Sequence, residues 1–369
     1  MSKPSSASPF HTSRRTFLGA TAAAGAMVAG ASPFSSVGVT QAHAQSRSGQ
    51  GDRVASAVTT REIPSTKEAI PALGLGTFLV FDALPGDKRD NLREVMKIYF
   101  EAGARVVDTS PLYGSAIYTV GHHAAALGIT DEVFLANKVW ATGEYLADES
   151  HARRSLEQSQ RVLWRQKMDA MHVHSLVNVD VILPYLRAWK KEGLIRYTAI
   201  SHYENPYHEA VADLVERGNL DMVQINYSIF NRSAEKRVLP AARDKGLAVL
   251  INMPFEKARL FQVVRGQPVP DFAREFAKSW PEFFLKWAMA HPAVTCVLAA
   301  TSNPQHAAEN VAALRGPLPD EAMRQRMVRH MEGLAGFDKI ASVVWYPGKE
   351  QVYQGLIRRS QGLLRQRLS

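Results

Sequence analysis

From Leu73 onward, short apolar runs alternate with longer amphipathic segments, eight times in succession. The runs at Leu73–Phe78, Arg105–Thr109, Val133–Val139, Asp169–His174, Ile195–Ser201, Met222–Tyr227, Leu247–Asn252 and Val294–Ala300 read as strands. Between them, Asp87–Ala102, Ser115–Leu127, Asp148–Leu163, Val179–Lys191, Pro206–Arg217, Ala234–Lys245 and Pro281–Ala290 read as helices, and a last helix begins near Pro304. Leu92, Val95, Met96 and Tyr99 fall on one face of the first helix, and Gly103 closes it. Strict alternation calls for a parallel sheet covered by helices. Eight units within roughly 240 residues close that sheet, so the expected fold is a single-domain (β/α)8 TIM barrel over residues 61–335.

The residues before the barrel read as an address rather than as structure. Ser13-Arg14-Arg15-Thr16-Phe17-Leu18 resembles a twin-arginine export signal, and a weakly apolar stretch rich in Ala and Gly follows it. Ala42-His43-Ala44 is a cleavage site of the A-x-A kind, which makes Gln45 the expected mature N-terminus and 45–60 a polar linker. Pro33 and several serines break the apolar stretch, so no stable membrane insertion is expected after cleavage. The expected partner is the twin-arginine export machinery, and the expected location is the periplasm. Cys296 is the one cysteine, so no internal disulfide can form, which suits a protein folded before export. The net charge is 44 − 35 = +9, part of it in the tail at Arg358, Arg359, Arg365 and Arg367. No helix-turn-helix, zinc-finger or RNA-binding pattern accompanies it, and nucleic acid is not an expected partner.

Barrel active sites lie at the C-terminal ends of the strands. Asp108 ends the second strand, Tyr113 follows on its loop, Lys138 sits near the end of the third, and His174 ends the fourth. Each alone has an ordinary structural explanation. A Lys inside an apolar strand nevertheless needs a counter-charge, and Asp108 can supply one. Together the four form a candidate site at one mouth of the barrel. His122-His123 and the pair His172/His174 lack the further ligands a metal centre needs, so no metal is expected.

These residues also carry a resemblance to the aldo/keto reductase family over roughly residues 61–335. It rests on Leu73-Gly74-Leu75-Gly76-Thr77, Asp108-Thr109-Ser110-Pro111-Leu112-Tyr113-Gly114, Ala136-Asn137-Lys138-Val139, His172-Val173-His174 and Gln224-Ile225-Asn226-Tyr227. The resemblance implies transfer of a hydride between NADP or NAD and a carbonyl or alcohol substrate. Tyr113 is then the general acid, Lys138 lowers its pKa, Asp108 holds Lys138, and His174 orients the substrate oxygen. The resemblance assigns Gly76, Thr77, Ser201, His202, Gln224 and Asn252 to the cofactor, together with Thr301, Ser302, Asn303, His306, Glu309 and Asn310 at its phosphate and adenine end. Phe78, Trp140 and Tyr203 are expected to line the substrate pocket.

Three places depart from the family pattern. His202 stands where an Asn usually completes the nicotinamide clamp, and Asn252 where a Tyr usually stacks on the ring. Ala300 and His306 replace common basic residues near the cofactor's 2′-phosphate, which implies modest discrimination between NADP and NAD. An alternative from another class is a non-catalytic periplasmic ligand-binding or assembly protein on the same scaffold. Residues 336–369 form a C-terminal extension. Phe337, Val344, Trp345 and Tyr346 suit a substrate-covering loop, and Gln351–Leu368 has the spacing of a basic amphipathic helix, foremost one packed on the barrel, with a partner contact or a weak membrane-surface element as the alternatives.

Overall fold

The computed structural model describes residues 57–86, 89–140, 150–348 and 350–368. The twin-arginine segment, its cleavage site and most of the linker lie outside them. Eight parallel strands close into one barrel in the order β10-β3-β4-β5-β6-β7-β8-β9. They are β3 (Leu73–Gly76), β4 (Val106–Asp108), β5 (Phe134–Val139), β6 (Met168–Val173), β7 (Ile195–Ser201), β8 (Met222–Asn226), β9 (Ala248–Asn252) and β10 (Cys296–Ala300). Closure comes from the pairing of Cys296 and Val297 with Leu250 and Ile251. The intervening helices are α1 (Asp90–Glu101), α2 (Ala116–Ala126), α3 (Ser150–Leu163), α4 (Val179–Lys191), α5 (His208–Arg217), α6 (Val238–Asp244), the short α7 (Leu260–Val263), α8 (Trp280–Met289) and α9 (Pro304–Ala312). The eight strands anticipated from the alternation are the eight of the barrel, with ends that differ by one or two residues.

Besides the helices α7 and, near the C-terminus, Glu321–Glu332, two features were not anticipated. The first is an antiparallel hairpin ahead of the barrel, β1 (Thr60–Ile63) and β2 (Glu68–Pro71). Its Ile63 and Ile70 pack with Val106, Phe134, Tyr197 and Met222, so the hairpin closes the N-terminal end of the barrel. Glu68 pairs with Arg196 and accepts a hydrogen bond from Tyr197, which ties the plug in place. The second is a break in the expected helix Ala234–Lys245. A 3-10 turn at Ser233–Lys236 stops, and α6 begins afresh at Val238. Pro240 has no N–H to offer the Lys236 carbonyl, and its ring would collide with that group in a continuous helix.

Pleating sets what faces the barrel axis. Ala136, Ala170, Ala199, Ala248 and Leu298 form the middle of the interior, so this layer is built from small or aliphatic residues. One pleat higher come Asp108, Lys138, His172 and Gln224, all buried. The interior therefore grades from apolar at the plugged end to polar at the open end. Cys296 belongs to the apolar part and is fully buried. Beyond the eight units, α10 (Glu321–Glu332), with Asp320 capping its Met323 N–H at 2.8 Å, and α11 (Glu350–Leu368) complete the chain.

Candidate active site

Asp108 and Lys138 are inward-facing neighbours on adjacent strands, with Asp108 opposite Ala136 two residues below Lys138. The Lys138 ammonium pairs with Asp108 Oδ1 and donates a second hydrogen bond to the Thr109 carbonyl at 3.1 Å. With 1% and 5% of their surfaces exposed, neither charge would be stable without the other. Burial lowers the pKa of Lys138, and the Asp108 carboxylate acts against that shift.

Tyr113 follows β4 on its loop. Lys138 Nζ stands 4.9 Å from the centre of the Tyr113 ring. The His174 ring meets it edge-on at 5.7 Å. Burial first, and the Asp108 carboxylate second, push the Tyr113 pKa well above that of an ordinary phenol. These two effects outweigh the lowering expected from Lys138. The ammonium is committed to Asp108 and the Thr109 carbonyl, and the carboxylate opposes phenolate formation. His174 sits just past β6, with Nδ1 3.0 Å from Ser110 Oγ. Burial, and then the Lys138 charge, push its pKa well below the usual histidine value, so the ring is neutral. With the Ser110 hydroxyl serving Nδ1, Nε2 can carry the remaining proton.

The loop bearing Tyr113 is held from both sides. Asp82 accepts hydrogen bonds from Ser115 N at 2.7 Å and Ser115 Oγ at 2.8 Å, and pairs with Arg359 of α11. Gly114 N donates to Ser360 Oγ at 3.0 Å. Gly114 has φ +65°, and a Cβ there would lie 2.3 Å from Asp82 Oδ1 and 2.7 Å from Leu356 Cδ1. Only glycine fits under α11 at this point. The anticipated tail helix therefore packs on the barrel, and it does so at the loop that carries Tyr113.

A cavity of about 1320 Å³ opens above these groups. Asp108, Tyr113 and His174 line its floor, and Phe78, Trp140 and Tyr203 line its walls. Gly76, Thr77, His202 and Asn252 border it at the ends of β3, β7 and β9, and Thr301, Ser302, Asn303, His306, Glu309 and Asn310 border the arm beside α9. Within that arm Asn303 Oδ1 caps α9 by accepting from Gln305 N at 2.9 Å. Asn310 Nδ2 donates to Tyr99 Oη at 3.1 Å.

Two of the expected clamp residues are used inside the protein instead. Gln224 Nε2 donates to Asp108 Oδ1 at 2.7 Å, making it a support for the ion pair. Ser201 Oγ donates to the Val173 carbonyl at 3.2 Å. Neither lines the cavity: Gln224 reaches across the barrel interior to Asp108, and Ser201 bonds the neighbouring strand. His202 Nδ1 accepts from the N–H groups of Tyr203 and Glu204 at 3.0 and 3.1 Å, and its ring stacks on Tyr207 at 3.8 Å. Burial lowers the His202 pKa to about 4. Asn252 Nδ2 donates to the His202 carbonyl at 3.3 Å, while its Oδ1 is buried without a partner.

The C-terminal extension divides. Phe337 packs against Phe230 in the core and Val344 is exposed, so neither covers the cavity. Tyr346 and Tyr353 do, and Phe78 links them to Tyr113 through ring contacts of 4.9 to 6.1 Å. Ser110, Asp82, Lys257 and Tyr353 are site residues that the sequence reading did not single out. Only Ser110 lay within a quoted motif.

A model of the aldo/keto reductase family matches residues 72–327. The chain belongs to the aldo/keto reductase family. It is 26% identical over 161 residues to the NADH-specific methylglyoxal reductase of Escherichia coli strain K12, covering 37% of this chain and only about half, 48%, of that relative. It is 26% identical over 227 residues to methylglyoxal reductase DkgB of Escherichia coli O157:H7, covering 60% of this chain and 79% of the relative. Among solved structures, an aldo-keto reductase from Klebsiella pneumoniae in complex with NADPH superposes with a TM-score of 0.61 at 22% identity, covering 74% and 95% of the two chains. That likeness is one of fold.

Proposed function

We propose that this aldo/keto reductase family member reduces an aldehyde or ketone with NADPH or NADH. The observation that carries the reading is the convergence of Tyr113, His174 and Asp108 on the floor of one cavity, with Lys138 paired to Asp108 behind it. The nicotinamide ring supplies the hydride, and the protein supplies position and a proton. The raised pKa of Tyr113 keeps its phenol protonated at neutral pH, ready to give its proton to the substrate oxygen as negative charge develops there. The Lys138 ammonium beside the ring then favours the phenolate. Neutral His174 offers an N–H to the same oxygen. Phe78, Trp140 and Tyr203 suit an apolar carbonyl compound. Relatives named as methylglyoxal reductases support small aldehydes as the first substrates to test.

The residues present fit a dinucleotide. The capped N-terminus of α9 opens onto the cavity and suits a phosphate. Asn252 Oδ1 is a buried acceptor without a partner on the opposite side. With Gln224 and Ser201 withdrawn, the nicotinamide end is held loosely and the adenine half dominates binding. Titration of cofactor-free protein with both dinucleotides is expected to show less than about 100-fold preference for NADPH, or roughly 2.7 kcal/mol. A larger preference overturns the reading of Ala300 and His306. Absence of binding by either dinucleotide would leave the non-catalytic ligand-binding alternative.

We further propose export to the periplasm by the twin-arginine route, supported by Ser13–Leu18 and Ala42–Ala44. Mature protein is expected to begin at Gln45, and the double variant Arg14→Lys, Arg15→Lys to remain in the cytoplasm as precursor. Normal export of that variant rejects the route.

A further inference from the structure

The loop after β9 carries a buried lysine that the mechanism leaves unused. Lys257 is 6% exposed, lines the cavity, and its ammonium has no hydrogen-bond partner. Among the described residues no carboxylate forms an ion pair with it. Its neighbour Glu256 is spent on Arg259, at 2.7 Å, and on Ser228 Oγ, at 2.6 Å. What surrounds Lys257 instead is aromatic. Its Nζ stands 2.7 Å from the centre of the Trp345 ring, 4.8 Å from that of Tyr203, and 5.9 Å from those of Tyr346 and Tyr353. The backbone is left-handed over three successive non-glycine residues, with φ 50° at Glu256, 54° at Lys257 and 69° at Ala258. Such conformations persist only where the surroundings enforce them.

Ring faces attract an ammonium, but they return far less than the water that burial removes. Burial, with Arg259 adding to it, lowers Lys257 to about 7 despite the opposing pull of Glu256 and Glu204. An amine whose charged form lacks a counter-charge thus lines the cavity, and an anion bound beside it would favour that charged form. Tyr346 is the link to the chemistry. Its ring lies 6.1 Å from Phe78, which lies 4.9 Å from Tyr113, and its N–H donates to the Lys257 carbonyl at 3.3 Å.

We propose that Lys257 is the anion-gripping residue of this cavity, receiving a phosphate or carboxylate carried by a molecule that lies against Tyr113. The inference rests on the reading that the cavity takes a dinucleotide and a carbonyl compound. The oxoanion has two possible bearers, the diphosphate of the dinucleotide or an acidic substrate. The aromatic box keeps the amine dry and aimed while the anion is away. Guanidinium can replace it, and an apolar side chain cannot.

Calorimetric titration of the mature protein and of Lys257→Met and Lys257→Arg tests this without relying on turnover. The probes are inorganic pyrophosphate, and 4-carboxybenzaldehyde compared with benzaldehyde. Wild type is expected to bind pyrophosphate, or to prefer the carboxylated aldehyde. The Met variant should lose at least about 10-fold in affinity for that anion, as expected for one charged hydrogen bond, and the Arg variant should retain it. Loss toward pyrophosphate assigns the dinucleotide, and loss toward 4-carboxybenzaldehyde alone assigns an acidic substrate. Thermal melts establish that each variant is folded, and Lys257→Gln, which removes the charge but keeps a polar side chain, carries the test with the same expected loss if the Met variant is not. Equal binding by wild type and Met, or binding of neither anion by wild type, overturns the proposal. A Lys257-dependent anion site in a protein that reduces no carbonyl would sink the reductase reading and leave this one standing.

Discussion

Tyr113→Phe is expected to reduce carbonyl turnover by at least about 10²-fold, the usual contribution of a positioned general acid. The substitution keeps the ring, and hence its contacts with Phe78 and His174, and removes only the hydroxyl. That hydroxyl makes no hydrogen bond among the described residues, so stability and dinucleotide affinity should barely change. The loss therefore belongs in kcat and kcat/KM together, the pattern of an interaction made in the transition state. Steady-state rates of the two proteins at saturating NADPH decide it. Full turnover by the Phe variant would move the proton donor elsewhere, with His174 the first place to look.

Breaking the buried ion pair should cost stability as well as activity. Lys138→Met leaves the Asp108 carboxylate buried with Gln224 Nε2 at 2.7 Å as its remaining side-chain donor. Asp108→Asn leaves the Lys138 ammonium without a counter-charge, with only neutral acceptors such as the Thr109 carbonyl. Removing one member of such a pair typically costs about 3–5 kcal/mol. The double variant removes both charges and should recover much of that loss, because neither is left uncompensated. Its carbonyl reduction should not recover, since the phenolate has lost its neighbouring cation. Urea unfolding of the four proteins measures the coupling. Additive single effects would mean that the two charges do not depend on each other.

The fold was legible because the strands repeat at regular intervals and each ends in polar residues that have a reason to be there. Asp108, Lys138 and His174 stand out for one cause: each is a polar residue in or just after a strand otherwise buried on both faces. The hairpin was not legible. Thr60–Ile63 and Glu68–Pro71 are four residues each, the first mostly polar and the second carrying a proline, and their purpose appears only when Ile63 and Ile70 are seen plugging a barrel. Pro240 could have warned of the broken helix. The direction of Gln224 could not have been read, because a strand-end amide serves a cofactor or an internal carboxylate equally well. Lys257 sits in an irregular segment where no periodicity signals burial, and its aromatic neighbours come from about ninety residues further along and from the loop after β7.

The central claim is that hydride passes to a carbonyl carbon on the floor of this cavity. The most direct measurement incubates purified mature protein with a carbonyl substrate such as methylglyoxal and NADPH or NADH deuterated at the transferable position, then weighs the alcohol formed. The account predicts one deuterium on the carbon that was the carbonyl, and its near disappearance with Tyr113→Phe. A product without deuterium, or label transfer that the Phe variant performs as fast as wild type, would contradict it.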